Sequence, residues 1–204
     1  IKRGNSKERY LKDDKALENY LLDTGLDDAT LTLHDGKVLQ GEALRAITEQ
    51  SRIVRNAVNA MNRKVGNTVI IEQAAIAGAL AVGLTVSLTQ AGEAAAYVAK
   101  RLDALAPAAE RGWKGEATPQ GGMLFTRTKR GVTNRFTLDA DALRSTEARR
   151  LDAITAELQA WFGAPAKFAS KGKDPVTLHG PVGLIDALIE VGRTGLTIQR
   201  YKGL

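Results

Sequence analysis

Near the carboxyl end, Gln199, Arg200, Tyr201, Lys202 and Gly203 bring together an amide, two cations, an aromatic ring and a flexible residue. That set suits contact with a polyanion. The cations meet phosphate, the ring offers a stacking face, and the glycine lets the backbone turn close to the ligand. Leu196, Thr197 and Ile198, just before, read as a short strand that would hold the tip rigidly. The alternative role is structural, with Tyr201 packed against a neighbour and Arg200 paired with a carboxylate.

Other chemistry lacks its parts. There is no Cys, which excludes disulfides, thiol nucleophiles and cysteine zinc sites. His34 and His179 each sit beside a turn without a second ligand at metal spacing. The adjacent acids Asp13-Asp14 and Asp27-Asp28 diverge in a helix or turn, which favours capping over metal binding. Asp139 and Asp141 have a spacing that would hold Mg²⁺ from a strand end, but a helical pattern follows them, so a cap is expected. Gly121-Gly122 and the run Gly180-Pro-Val-Gly183 lack the lysine of a phosphate loop. Neither a catalytic nor a metal site is therefore assigned. Basic clusters remain: Arg127, Lys129, Arg130 and Arg135 around one turn, and Lys167, Lys171 and Lys173 around another. Each suits a solvated face, or phosphate contacts that weaken with salt.

The elements that carry these residues are legible from period and punctuation. Ile1 to Leu11 reads as a basic hairpin about Gly4-Asn5-Ser6. Asp13 or Asp14 caps a helix to about Leu22, and Asp35-Gly36 joins two short strands. From Gly41 to about Arg63, Leu44, Ile47, Ser51, Val54, Val58 and Met61 recur at helical spacing, and Gly66 stops the run. Asn67 caps a further helix to Leu80. Gly83 to Ser87 has no clear period, and Gln90 or Gly92 starts a helix that Pro107 ends. Strands follow at Trp113–Ala117, Met123–Thr128 and Val132–Leu138, the last two joined at Lys129-Arg-Gly131. Asp139 then opens one helix from about Ala140 to Phe162. Short strands are expected at Ala166–Ala169 and Pro175–Leu178, and Gly180-Pro181 opens the last helix. The expected class is α+β: a helix-rich body with short antiparallel hairpins and no repeating βαβ unit.

Composition is that of an ordinary globular chain of 204 residues with 44% hydrophobic residues, enough for a real core. A net charge of +6 favours nucleic acid over a membrane surface as partner. No apolar run reaches the ~18 residues of a membrane span. The chain begins at Ile1 and carries no signal pattern, so an excised piece of a larger cytoplasmic protein is the expectation.

Several of these segments carry a resemblance. Ile198-Gln-Arg-Tyr-Lys-Gly-Leu204 resembles a signature of the type IIA DNA topoisomerases, at the end of the toprim region of the ATP-binding subunit. Ile1-Lys-Arg-Gly with Glu8-Arg-Tyr-Leu-Lys-Asp-Asp14 is similar to the stretch of gyrase B that leaves the toprim core, and Gly41-Glu-Ala-Leu44 adds a short match. The long interval between the two ends looks like the insertion found in that region in many Gram-negative bacteria. From about Lys64 to Asp186 the likeness is one of length and order. The resemblance implies three parts: residues 1–12 as a remnant of the toprim region, 13–195 as the insertion domain, and 196–204 as the final toprim strand. Toprim-type sheet strands would then flank the insert.

The same resemblance implies a parent that cuts, passes and reseals duplex DNA with ATP, inside the bacterial cytoplasm at the nucleoid. Its Mg²⁺ and ATP sites lie outside this chain, and it works with gyrase A in an A₂B₂ heterotetramer. Carried onto this chain, Gln199, Arg200, Tyr201, Lys202 and Gly203 would border the DNA. Tyr201 would not be the cleaving tyrosine, which belongs to gyrase A. Two functions follow: a non-catalytic scaffold that couples parts of the enzyme through DNA or gyrase A, or an autonomous basic nucleic-acid-binding module.

Overall fold

A computed structural model describes residues 1–83 and 87–201. Its amino end is a two-residue strand, β1 (Lys2–Arg3), followed by a turn. The Asp13 carboxylate accepts from the Ala16 amide and so caps α1 (Asp14–Leu26). β2 (Ala29–Thr32) and β3 (Val38–Leu39) form the expected hairpin about Gly36, whose φ of 89° a side chain rarely adopts.

The longest element, α2 (Gly41–Val65), buries Leu44, Ile47, Val54, Val58 and Met61 on one stripe and ends at left-handed Gly66. Asn67 caps α3 (Thr68–Ala77), which stops at left-handed Gly78, earlier than its apolar run suggests, and tightens into a 3₁₀ turn at Ala79–Gly83. α4 (Leu88–Leu105) starts earlier than expected, because Ser87 and Gln90 exchange side-chain and backbone hydrogen bonds in a capping box.

β4 (Lys114–Ala117), β5 (Met123–Lys129) and β6 (Val132–Leu138) then form an antiparallel sheet in that order. The single helix expected from Ala140 to Phe162 is three: α5 (Ala140–Arg144), α6 (Thr146–Ala153) and α7 (Thr155–Phe162). Ser145 causes the first break. Its backbone is extended at φ −60° and ψ 155°, and its hydroxyl donates back to the Ala142 carbonyl while accepting from the Ala148 amide. Asp139 is a helix cap, bonded to the Ala142 amide at 2.7 Å, as its position suggested.

β7 (Ala166–Ser170) and β8 (Val176–Leu178) join the first hairpin in a four-stranded sheet ordered β3-β2-β7-β8. α8 (Pro181–Arg193) and β9 (Leu196–Thr197) complete the chain. The class is α+β with short antiparallel sheets.

One apolar core runs from Leu22 to Leu188. α1 crosses α8 at backbone distance. A Cβ at Gly25 would overlap the Leu188 carbonyl, and one at Gly192 would overlap the Leu21 carbonyl. Glu18 of α1 accepts from Arg55 at 2.7 Å and lies 3.3 Å from Arg52, which ties α1 to α2.

A buried polar node joins α3, α4 and α8. Gln73 donates to the His179 carbonyl and accepts from Arg101. Arg101 also donates to the Phe162 and Gly163 carbonyls, the orphan acceptors at the end of α7. Glu72 accepts from the Val182 amide at 2.8 Å, at the positive end of α8. A Cβ at Gly180 would force the Glu72 carboxyl group to shift. Burial outweighs that hydrogen bond, and Asp186 adds repulsion, so the Glu72 carboxyl is pushed up to about 7. Burial, and then Arg101, lower the pKa of His179.

This packing is open to test at two places. Gly25→Ala should lower unfolding stability by more than about 2 kcal/mol, whereas Gly92→Ala, inside α4 with nothing within 4 Å, should be neutral or slightly stabilising. Urea unfolding of both variants measures the contrast. Glu72 favours the protonated form, so its contribution is full below its ordinary value of 4.5 and is lost as pH rises through about 7. Glu72→Gln should therefore remove a fall in stability of roughly a few kcal/mol between those pH values, read from denaturation midpoints across the range.

Candidate nucleic-acid interface

The expected contact tip lies beside the amino-terminal arm. β1 pairs antiparallel with β9, with Lys2 opposite Thr197 and Arg3 opposite Leu196. The two ends of the described chain are therefore neighbours. The returning arm of the first hairpin, Glu8 to Leu11, is not a strand. It is held by one reciprocal pair of bonds, Arg9 amide to Ile1 carbonyl and Ile1 amine to Arg9 carbonyl, each 2.8 Å. β9 has taken the ladder position beside β1.

A two-residue ladder is a weak joint, and Arg3 reinforces it. Its guanidinium donates to the Thr194 carbonyl and, at 2.6 Å, to the Gly192 carbonyl, which are acceptors at the end of α8. Its Nε reaches the Tyr20 hydroxyl at 3.4 Å, and its cationic carbon lies 5.9 Å from the centre of that ring. Arg9 stacks on the same ring at 5.4 Å. The Arg3 hydrogen bond is the main cause that holds the Tyr20 phenol below its usual pKa. Sequence reading did not find this clamp. Its partners lie up to 191 positions away, and no local pattern marks them.

Beyond β9 the chain is irregular. Arg200 forms an ion pair with Asp14 at 2.8 Å, although both side chains are mostly exposed, at 73% and 77%. Such a pair is worth less than about 1 kcal/mol. Tyr201 is 64% exposed and so leaves a ring face open. Gln199 adjoins both, while Lys202 and Gly203 lie outside the described residues. Between the arm and this tip is a half-open cleft of about 570 Å³. Ile1, Leu11, Leu17 and Ile198 line its apolar part, and Lys2, Arg9 and Lys12 supply cations. The structure thus brings Gln199, Arg200 and Tyr201 together with the basic arm.

The second basic cluster is partly occupied. Arg127 lies 4.8 Å from the centre of the Trp113 ring and donates to the Glu110 carbonyl. Lys129 pairs with the Glu110 carboxylate at 3.3 Å. Lys167 donates to Thr177, and Lys173 to Thr194. Among the described residues, no group of three or more His, Asp or Glu could hold a metal ion, and no helix is long and apolar enough to cross a membrane.

The described residues form a helix-rich α+β body in which β1 and β9 share one ladder. No family model matches the chain. It is 38% identical over 198 residues to the B subunit of DNA gyrase from two Caulobacter vibrioides strains, a match covering 96% of this chain and 23% of each relative. The corresponding DNA gyrase protein of Rickettsia bellii is 28% identical over 211 residues, covering 100% of this chain and 25% of that protein. The chain is homologous to a segment of the B subunit of DNA gyrase and spans about a quarter of the length of these relatives. The match also runs through residues 64–186, where the motifs alone offered only a likeness of length and order.

The clamp is directly testable. Arg3→Ala should cost about 1–3 kcal/mol by leaving two carbonyls short of a donor, and should raise hydrogen exchange at the Arg9 and Gly4 amides. Arg3→Lys should recover little of this, since one ammonium does not reproduce the fork over two carbonyls and a ring.

Proposed function

We propose that this chain serves as a non-catalytic scaffold within a gyrase B protein, coupling moving parts of an enzyme that supercoils DNA with ATP. The β1–β9 pairing carries this reading. Chain that enters and leaves through adjacent antiparallel strands can be inserted into a larger sheet without disturbing it. On this reading residues 1–12 and 196–204 belong to a toprim-type sheet, and residues 13–195 form the insertion domain. The half-open cleft then receives the rest of the parent protein.

The body suits a rigid role. Helices α1 and α8 meet at backbone distance, and the buried Gln73 is tied to its neighbours by hydrogen bonds. Mg²⁺ and ATP would be bound elsewhere in the parent, and gyrase A and double-stranded DNA would be its partners in the bacterial cytoplasm. The residues that meet DNA are Gln199, Arg200, Tyr201, Lys202 and Gly203. Arg200 exchanges Asp14 for a phosphate, and Tyr201 supplies a stacking face.

The test uses the full-length parent protein in complex with gyrase A. Replacing Asp13 to Gly195 by a short linker should reduce supercoiling at least tenfold and weaken DNA binding, while ATP turnover persists. Arg200→Ala alone should weaken DNA binding and lower the salt slope by about one ion. Supercoiling at the normal rate after the deletion refutes the scaffold, and an unaltered salt slope refutes the tip.

A further inference from the structure

Of the described sheet edges, β6 is the longest that is left exposed. Its partner β5 pairs with it one-to-one from Lys129–Val132 to Met123–Leu138, without a bulge. No proline interrupts it. The other outer strands, β1, β3, β4, β8 and β9, are two to four residues long.

The loop Arg130-Gly131 has φ values of 52° and 78°, as a two-residue type I′ turn requires. In such a hairpin the closing pair, Lys129–Val132, exchanges both backbone bonds. Antiparallel alternation then turns Asn134, Phe136 and Leu138 toward β5 as well. The amide and carbonyl groups of Thr133, Arg135 and Thr137 consequently point away from the sheet.

Those three residues are exposed, whereas Leu138 is buried and Phe136 half-buried on the face toward the core. Val132 is 62% exposed. Proteins commonly protect such an edge with proline, a bulge or several charges. β6 has one charge, Arg135, at its centre. From Met123 to Leu138 the hairpin carries Arg127, Lys129, Arg130 and Arg135 and no acidic residue.

We infer that the free edge of β6 is a docking site for an extended acidic peptide strand, which adds to the sheet beside Thr133, Arg135 and Thr137. The incoming backbone satisfies the outward groups, and carboxylates at alternate positions lie beside Arg135 and within reach of Arg130. A second copy of β6 suits this edge poorly, because antiparallel self-pairing centred on Arg135 sets two guanidinium groups side by side. Duplex DNA would use the cations of the hairpin but leave the strand's outward amides unmatched. The inference rests on this edge and not on the reading of the β1–β9 junction, so either can fail alone.

The experiment follows the backbone amides of the 204-residue chain by NMR, with three probes. These are a blocked peptide of alternating glutamate and valine that matches β6 in length, its lysine counterpart, and a short random duplex DNA. The glutamate peptide should shift and protect the amides of Thr133, Arg135 and Thr137, with affinity about tenfold or more above the lysine peptide and falling with salt. Thr133→Pro, whose amide faces away from β5, should abolish that binding. Arg135→Glu, which leaves the backbone pattern intact, should reverse the preference between the two peptides. Absence of protection at these amides overturns the proposal. So does equal binding of both peptides, or protection by the duplex alone.

Discussion

The architecture hangs on a joint of two paired residues on each side. A ladder between Lys2–Arg3 and Leu196–Thr197 offers few hydrogen bonds, and neither strand has a further strand beside it among the described residues. What makes the joint firm is one guanidinium. Arg3 sits on β1, yet its donors close the end of α8, and its plane meets the ring of Tyr20 on α1. Strand, helix end and neighbouring helix are therefore fixed together. The near-contact of α1 and α8 through Gly25 and Gly192 has the same consequence, since the helix that Arg3 seals already lies against the helix that carries Tyr20.

This use of arginine recurs and changes the meaning of the net charge. Arg101 closes the end of α7 and holds Gln73. Arg149 collects the Leu143 and Leu80 carbonyls where α5 gives way to α6, and pairs with Asp152 at 3.2 Å. Arg127 is split between a ring and a carbonyl. A fork of five donors suits paired carbonyls at helix ends better than an ammonium does. Part of the positive charge is thus internal bracing. Net charge alone therefore does not say which cations are free to meet a polyanion, whereas Lys2, Arg9 and Lys12 of the arm, Arg200 of the tip and Arg135 of β6 are exposed.

Local chemistry was legible in the sequence where one residue decides one element. Asp13, Asn67 and Asp139 cap the helices that follow them, Gly66 ends α2, and Asp35-Gly36 turns the first hairpin. The bound on legibility was competition between signals. The apolar period over residues 140–162 is continuous, but Ser145 offers the backbone a rival hydrogen bond, and the helix breaks there. The reverse happened at Ser87, where a capping box lengthened a helix that the glycine at 92 seemed to delay. At the candidate site, the tip residues were legible by type, and the likeness of both ends to one family set them side by side. The Arg3 clamp at the joint before them was not, because it is a contact between the two ends of the chain and leaves no period.

From the exposed edge of β6 to the joint there is an unbroken series of tight contacts. The β4–β6 sheet lies on α4 so closely that a Cβ at Gly115 would overlap the Ala95 carbonyl. α4 carries Arg101, which holds Gln73 of α3, and Gln73 holds the His179 carbonyl just before α8. Glu72 fixes the first turn of α8, and Arg3 fixes its last. Close-packed contacts of this kind resist compression and pass on displacement. Every link in the series is a single arrangement of backbone carbonyls, amides and fixed side chains. The series thus joins the sheet that carries β6 to the β1–β9 joint through backbone contacts and hydrogen bonds. On the proposed scaffold reading, such a series would transmit position, and a switch elsewhere would supply the alternation between states.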